Sequence, residues 1–550
     1  MKRILKDYIL FVIYFIALTF TACMDLDVPP KGILTPNTFY ETATQADQGI
    51  VGIYTRLVDI PVNQYWFMSE CRSDNTWVNP TPGGFREYSE IGTFRAGYDL
   101  GTFNTVWNLW YRLIYNANAA LEKLPNAEFK GDEALRNQFM GEAHFLRGWA
   151  YFELVRSFGN VPIIDKVMAP ADVLNTKQST AREIYDKIIV PDLKQAKSLL
   201  PLENEMRDGS GNLIGTSGRA NHMVARAMLG RVYMTMAGFP LNDPSTQALA
   251  EEELNSVITY SEQNGDKYWA PDIDEWRKQW SSEYNNKYSI FAVQHRTGGT
   301  GNRVVYQMLP SVPPSFTKIS IFVNEIYIEK TLMYEFDKIQ KNTGEKDLRG
   351  IDFSILTGYE AEANYPAYSN TTDTLNLPDG KVETVQTKSM FYKYFDSLHK
   401  RAALGFETNI ENTMINFNDW PNNFPVIRLE DIMLMYAEIL VSKGQTTEAL
   451  AIINKIRGRA GADKLTVTSA TDVLNAVKNE RRLELMCEGV RWFDIVRWGE
   501  WKNRISVKFN RYSNPDGTSQ SNIQDGRYLY PIPMSQIDVK PGFYKQNTDY

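Results

Sequence analysis

The densest group of ionisable residues lies near the C-terminus, where residues 480–501 read ERRLELMCEGVRWFDIVRWGEW and nine of the 22 side chains are charged. Carboxylates at Glu480, Glu484, Glu488 and Asp494 raise the prospect of general acid/base chemistry, which needs two carboxyl groups with separated pKa values facing a cleft. Their spacing argues against it. Leu483, Met486, Val490, Phe493 and Val496 recur every three or four residues, which predicts one apolar helical face. A second stripe holds Arg481, Glu484, Glu488, Arg491, Asp494 and Arg497, so nearly every carboxylate has an arginine within one helical turn that keeps it ionised. On an exposed face the pairs Glu488–Arg491, Arg491–Asp494 and Asp494–Arg497 would each contribute about 0.2–0.5 kcal/mol. The stripe reads as architecture, with planar guanidinium forks locking neighbouring helices together. Gly489 weakens the helix locally and marks a close contact.

Other catalytic chemistry finds no footing. The four histidines, at 144, 222, 295 and 399, match no HExxH-type spacing, and there is no CxxC, Gly-x-Ser-x-Gly or P-loop. His144 and His222 fall in helical segments as packed or surface residues. A glycoside hydrolase would need two carboxylates ~5–9.5 Å apart across a cleft, and Glu484 and Glu488 are already committed to arginine. No enzymatic activity and no cofactor are expected; a structural Ca²⁺ stays open, because acidic stretches such as PDIDE (271–275) lack a ligand-loop pattern.

Aromatic residues stand out instead. Residues 65–88, YWFMSECRSDNTWVNPTPGGFREY, place Tyr65, Trp66, Phe67, Trp77, Phe85 and Tyr88 among Arg72, Asp74, Asn75 and Arg86. Flat ring faces beside Asn, Asp and Arg hydrogen-bonders suit a sugar or another polyol. Trp276, Trp280, Tyr284 and Tyr288 form a second set at intervals of four. The competing role for each ring is burial in a core.

The elements that would position these groups are mostly helical. Helical segments span 103–125, 135–162, 181–201 and 219–240, and a helical hairpin spans 427–461 with its turn at Lys443–Gly444–Gln445. Leu229-Gly230-Arg231-Val232-Tyr233 matches the first helix of a tetratricopeptide repeat. Ala120-x-x-x-Leu124-Pro125 and Ala196-x-x-x-Leu200-Pro201, 76 residues apart, approximate its second. The fold class is therefore mainly α: tetratricopeptide-like helix pairs form a scaffold at about 103–263 and 427–500, too interrupted for a regular superhelix. A long irregular, loop-rich and partly β face is expected from about 61–100 and 265–425, where only short runs such as SIFAVQ (289–294) suggest strands. Loops this long are usually functional.

At the N-terminus Lys2, Arg3 and Lys6 precede an apolar run from Tyr8 to Phe20, and the small residues Thr21 and Ala22 precede Cys23, the layout of a secretory signal over residues 1–22. The placement of Cys23 resembles a lipoprotein lipobox, with Phe20 where leucine is usual; the alternative is a secreted protein with Cys23 free. Removing residues 1–22 takes the net charge from −7 to −9. An acidic chain with no basic block is a poor partner for nucleic acid. Cys71 and Cys487 are left either free or paired. The tail YLYPIPMSQIDVKPGFYKQNTDY has no helical period and is expected to wrap the surface in an irregular, ordered path.

Taken in order, YNANAALEKLP, GEAHFLRGWAYFELVRSFGNVPII, IIVPDLKQAKSLLP, GRANHMVARAMLGRVYM, VIRLEDIMLMYAEIL, INKIRGRAG, ERRLELMCEGVRWFDIVRWG and YLYPIPMSQIDV are similar to the SusD/RagB family of outer-membrane, glycan-binding lipoproteins, across nearly all of residues 23–550. The resemblance implies a lipid anchor at Cys23 in the outer membrane, facing the cell exterior. It also implies a SusC-like TonB-dependent β-barrel partner, for which the protein would act as a lid, and a glycan ligand carried without covalent chemistry. On the regions that match, Asp74, Asn75, Trp77, Arg86, Tyr88, Trp280 and Tyr284 are the expected glycan contacts. Two alternatives remain: a scaffold without a sugar site, and a peptide-binding component of such an importer.

Overall fold

The computed structural model describes residues 39–78, 86–215, 218–308, 312–317, 326–362, 367–369, 371–408, 414–512 and 522–550. The expected leader and Cys23 lie outside them. Helix α1 (Ala43–Tyr54) starts at a capping box, in which Thr42 accepts the Gln45 N–H and Gln45 accepts the Thr42 N–H. It leads through a short 3₁₀ turn into α2 (Pro61–Glu70), wound at the wider π pitch. This corrects the expectation that residues 61–70 are irregular. Nine of the ten α2 residues are buried, and a helix buried on all sides carries no amphipathic period to read.

Then follow α3 (Gly101–Lys123), α4 (Glu133–Phe158), α5 (Val190–Leu199), α6 (His222–Ala237) and α7 (Gln247–Gln263). Ahead of α5 the helix widens to a π turn at Tyr185–Ile189. Pro191 explains it: its missing N–H and its ring both disfavour α pitch four residues upstream. The long irregular stretch holds α8 (Lys330–Asp337) and α9 (Leu398–Ala403). Helices α10 (Leu429–Ser442), α11 (Thr446–Arg459), α12 (Ala470–Glu484), α13 (Arg491–Arg497) and α14 (Trp501–Asn510) follow, and shorter helices such as Arg86–Gly92 and Ile273–Lys278 lie between the longer ones. Gly444, at φ +78°, makes the expected α10–α11 turn.

The helices pack in sequence, α3 on α4, α4 on α5, α5 on α6 and α6 on α7; then α7 packs on α10, and α10 on α11 and α12. The two helical blocks thus form one array, with residues 264–428 inserted between them. Gly230 allows the α6–α7 approach, since a Cβ there would meet Leu254 Cδ2 at 2.5 Å. The strands of the described residues are short and antiparallel, and those used below are β1 (Thr76–Val78), β2 (Ser289–Val293), β3 (Ile326–Ile328), β4 (Gly358–Tyr359), β5 (Tyr368–Ser369), β6 (Thr371–Asn376), β7 (Val382–Thr387) and β8 (Phe424–Arg428). They pair β1–β3, β2–β8, β4–β5 and β6–β7. The C-terminal tail is irregular, as expected, with Tyr530 and Ile532 fully buried.

Residues 480–500 are not one helix. The chain turns between α12 and α13, with Cys487 at φ +70° and Gly489 at φ +71°. A Cβ on Gly489 would lie 2.3 Å from Tyr65 Cβ, so α2 is the close contact at that glycine. Of the three expected ladder pairs, Asp494–Arg497 forms at 2.9 Å, while Arg491 and Glu488 turn to distant partners. Nor is the ladder exposed. The Glu484 carboxylate, fully buried, accepts from Arg349 (2.8 Å), Arg428 (2.9 Å), Arg459 (2.9 Å) and the Trp276 indole (2.8 Å). Glu488 accepts from Lys393 and Arg428, both at 2.7 Å. Asp431 and Asp494 share Arg481 at 2.7 and 2.8 Å. Burial opposes the charge on Glu484, but the guanidiniums of Arg459, Arg428 and Arg349 outweigh it and hold the carboxyl well below the usual carboxylate range. Cys71 and Cys487 are buried free thiols.

Taking one partner out of such a cluster leaves uncompensated buried charge. Glu484→Gln is expected to lower unfolding free energy by roughly 3–5 kcal/mol, measured by urea denaturation. Lys187→Ala, which opens the exposed Glu183–Lys187 pair, serves as the control and should leave the midpoint nearly unchanged.

Candidate ligand-binding face

Strand alternation sets the first part of the site. In β1 and β3, Thr76, Val78, Ile326 and Ile328 are buried, while Trp77 and Tyr327, paired across the ladder, are half-buried and turn to the opposite face. The Trp77 ring stacks flat on Tyr512, with centroids 3.7 Å apart and planes 4° from parallel. Phe509 of α14 meets its edge at 5.8 Å. Tyr512 is held in turn: its hydroxyl accepts the Lys330 N–H at 3.0 Å, and the Lys330 ammonium lies 4.9 Å over its ring. Glu329 binds Arg511 (2.8 Å) and Arg482 (3.4 Å), which ties this platform to α12.

From Tyr327 the rings continue. Burial, then the neighbouring Tyr327 and Tyr359 phenols, push the Tyr368 hydroxyl up. Tyr359 and Tyr368, partners in β4–β5, stack at 5.7 Å. Phe316 packs on Tyr359 at 5.9 Å and on His399 at 4.4 Å, and His399 is exposed on α9. On the same short helix Arg401 binds Glu283 and Asp396. Beyond it Phe406 meets Tyr284 at 5.8 Å, and Tyr284 meets Tyr288 at 6.5 Å. Lys287 sits over both tyrosines at 4.2 and 4.9 Å. Glu275 accepts from Tyr284, Tyr288 and Lys287. Burial works against ionisation of Glu275, yet hydrogen bonds from Lys287, Tyr288 and Lys278 bring it down to about 2. The result is an arc of half-buried rings from Tyr512 and Trp77 to Tyr288. Such faces meet apolar C–H surface, and the intervening hydroxyl and ammonium groups offer hydrogen bonds.

Among the residues expected to contact ligand, Trp77 and Tyr284 lie at the two ends of this arc. Arg86 is exposed but closes on Glu90 and Asp99 at its own surface. Four others are corrected, because they lie inside the protein. Both oxygens of Asp74 bind Arg491, at 2.6 and 2.7 Å, and the carboxylate is held well below its ordinary pKa: burial works the other way, but Arg491 and Arg482 overcome it. Asn75 donates to Glu70 at 2.8 Å and accepts from Arg482 at 2.9 Å. Trp280 is buried beneath Lys393 and Arg428, and Tyr88 is 5% exposed. Asp and Asn serve a buried arginine with the same atoms that would serve a sugar, so residue type does not separate the two roles. Tyr327, Tyr359, Tyr368, Phe316, His399 and Tyr512 escaped notice. Only the apolar alternation of IYI at 326–328 hinted at any of them. Among the described residues, no group of three or more His, Cys, Asp or Glu side chains is arranged to hold a metal ion.

Residues 26–234 match a family model described as starch-binding associating with outer membrane, and residues 321–550 match the SusD family model. The chain belongs to the SusD family. SusD-like protein P38 of Formosa agariphila is 24% identical over 493 residues, covering 86% of this chain and 87% of that protein. SusD-like protein P2 of the same organism is 25% identical, covering 97% and 98%. Among solved structures, a SusD homolog from Bacteroides thetaiotaomicron superposes with a TM-score of 0.74 at 20% identity, covering 94% of this chain and 98% of that one. Surface glycan-binding protein A from the same species, in complex with laminarihexaose, gives 0.66 at 19% identity, covering 92% and 99%.

Beside the platform, the fold buries Glu70 completely, and that burial raises its pKa from an ordinary 4.5 to about 7 despite the Asn75 hydrogen bond. The folded chain therefore binds a proton between pH 4.5 and 7 that the unfolded chain does not, so Glu70 subtracts stability as pH rises through this window. Glu70→Gln keeps the acceptor for Asn75 and removes the penalty. It is expected to exceed the wild type in stability by up to roughly 3 kcal/mol at pH 8 and to match it near pH 4.5, as read from denaturation midpoints across pH. Asp396, raised to about 6 by burial, should leave part of the decline in place.

Proposed function

We propose that the protein captures oligosaccharide or polysaccharide at the cell surface and passes it to a TonB-dependent outer-membrane transporter. The observation that carries this is the aromatic arc. Most of its rings are half-buried, and Glu329, Lys330 and Arg401 tie down the segments that carry them. Pre-set rings bind a polymer without the entropy cost of ordering loops. The printed ligands of the structural relatives agree in kind: one is a laminarin binding SusD-like protein, and another holds laminarihexaose. The carboxylate pair that the sequence offered for catalysis, Glu484 and Glu488, faces arginine and lysine in the interior. Membrane attachment through Cys23 and a SusC-like barrel partner complete the proposal. Family membership and the outer-membrane association named in its description support both.

The test is affinity electrophoresis of residues 24–550 through gels holding a panel of polysaccharides, with calorimetry on oligosaccharides of any polymer that retards the protein. Trp77→Ala and Tyr327→Ala should each weaken binding roughly tenfold, about 1.4 kcal/mol. Unchanged retention in the double variant would remove the arc from the ligand path, and silence across the panel would shift the cargo towards peptides.

A further inference from the structure

A cavity of about 240 Å³ opens on the helical array between the C-terminal end of α4, the α6–α7 connection, α13 and the C-terminal tail, and none of the arc residues lines it. Phe239 and Tyr528 meet there edge to face at 4.8 Å, and the buried rings of Phe493 and Tyr185 complete an aromatic lining.

Polar groups interrupt the rings. The Arg156 side chain is 8% exposed, its Nε and Nη2 bind Glu153 at 2.7 and 2.5 Å, and its guanidinium lies 3.7 Å over Phe493. Its Nη1 has no hydrogen-bond partner among the described residues, yet is not sealed from solvent. The same holds for the Tyr185 hydroxyl, on a residue only 3% exposed. Asn160 spends its side-chain oxygen on the Ala181 N–H at 3.0 Å, which leaves its NH₂ unspent among the described residues. Asn547 spends its NH₂ on the Phe158 and Tyr530 carbonyls, at 2.9 and 2.6 Å, and likewise keeps an oxygen.

The lining therefore offers unspent donors and an unspent acceptor between aromatic faces. An alkyl group would leave the Arg156 donor unmet, which costs about 1–3 kcal/mol for a buried group. A carboxylate only accepts, and would set its charge against the Asn547 oxygen. A hydroxyl both donates and accepts, and a cyclic polyol also carries C–H faces for the rings. The volume falls below the ~300–1,000 Å³ of pockets for drug-sized ligands, which limits the occupant to about one ring.

We propose that this cavity is a second ligand site, taking a single pyranose or similar cyclic polyol, either as free monosaccharide or as the end of a longer chain. The proposal stands on this lining and is independent of the arc.

Saturation-transfer NMR on residues 24–550 with glucose, galactose, mannose, xylose and fucose, each beside its methyl glycoside, tests it. Laminarihexaose serves as the chain-end probe. At least one free sugar, glycoside or the hexasaccharide should give a signal that persists in Trp77→Ala. That signal should weaken by roughly tenfold or more in Ala181→Trp and in Thr548→Trp, both of which fill the cavity. Melting curves identify a variant that fails to fold, and the other then decides. Free sugar active alone, or glycoside and hexasaccharide active as well, separates the two sources. No signal from any probe overturns the proposal, as does a signal that survives both filling substitutions or vanishes only with Trp77→Ala. Polysaccharide retention in gels reports separately on the arc.

Discussion

Everything else in the molecule hangs on a carboxylate that water never reaches. Glu484 ends α12 with no exposed surface, and the three guanidiniums and one indole that surround it come from four separate parts of the chain. Arg349 and Trp276 belong to the long insertion, Arg428 to β8 and Arg459 to α11. Desolvating that many charges is expensive, and ion pairs of this kind contribute little net stability compared with a packed apolar core. What they impose is selectivity. Any docking of the insertion that misplaces one arginine strands a buried charge, so alternative arrangements rise steeply in energy.

That constraint explains how a loop-rich face can be rigid. Between α7 and β8 the described strands pair only two by two, and short ladders hold a loop weakly. Lys393 reaches from this region to the Glu484 and Met486 carbonyls and to Glu488, at 2.9, 3.0 and 2.7 Å. Arg482 reaches the other way, to Asn75 and the Asp74 carbonyl, while Arg491 grips the Asp74 carboxylate. Strand β1 and the aromatic platform are thus pinned to the same cluster as the far limb of the arc. Rings that must present a fixed spacing to a polymer gain from such fixing, because little ordering remains to be done on binding.

Much of the frame was legible in the sequence. The helices within 103–123, 133–158 and 222–237 and the hairpin 429–459 follow the apolar period, and Leu229–Tyr233, read as the first helix of a tetratricopeptide pair, packs on α7 with Gly230 at the close approach. Continuity from 480 to 500 was misread for a physical reason. The apolar spacing of Leu483, Met486, Val490 and Phe493 persists across the turn, while the left-handed backbone at Cys487 falls on a residue type that rarely adopts it. The aromatic arc was legible in kind and not in membership. Trp77 and Tyr284 are half-buried rings on that arc, since rings among polar residues tend towards surfaces. Asp74 and Asn75 were misassigned because their partners, Arg491 and Arg482, lie some four hundred residues away.

The division of labour between cluster and arc follows from how each is built. The ionic residues sit on helix ends and on the strand that enters α10, where a changed side chain would strand a charge, so the cluster tolerates little variation. The arc residues Tyr327, Tyr359, Tyr368, Phe316 and Tyr284 sit on two- and three-residue strands and turns that touch the cluster only through their neighbours. Replacing one of these rings alters the surface offered to a ligand without exposing buried charge. Ligand preference in this fold can therefore change ring by ring while the interior stays fixed. For the same reason the charged motif that dominates the sequence identifies the fold, and under the proposed function the scattered tyrosines would set ligand preference.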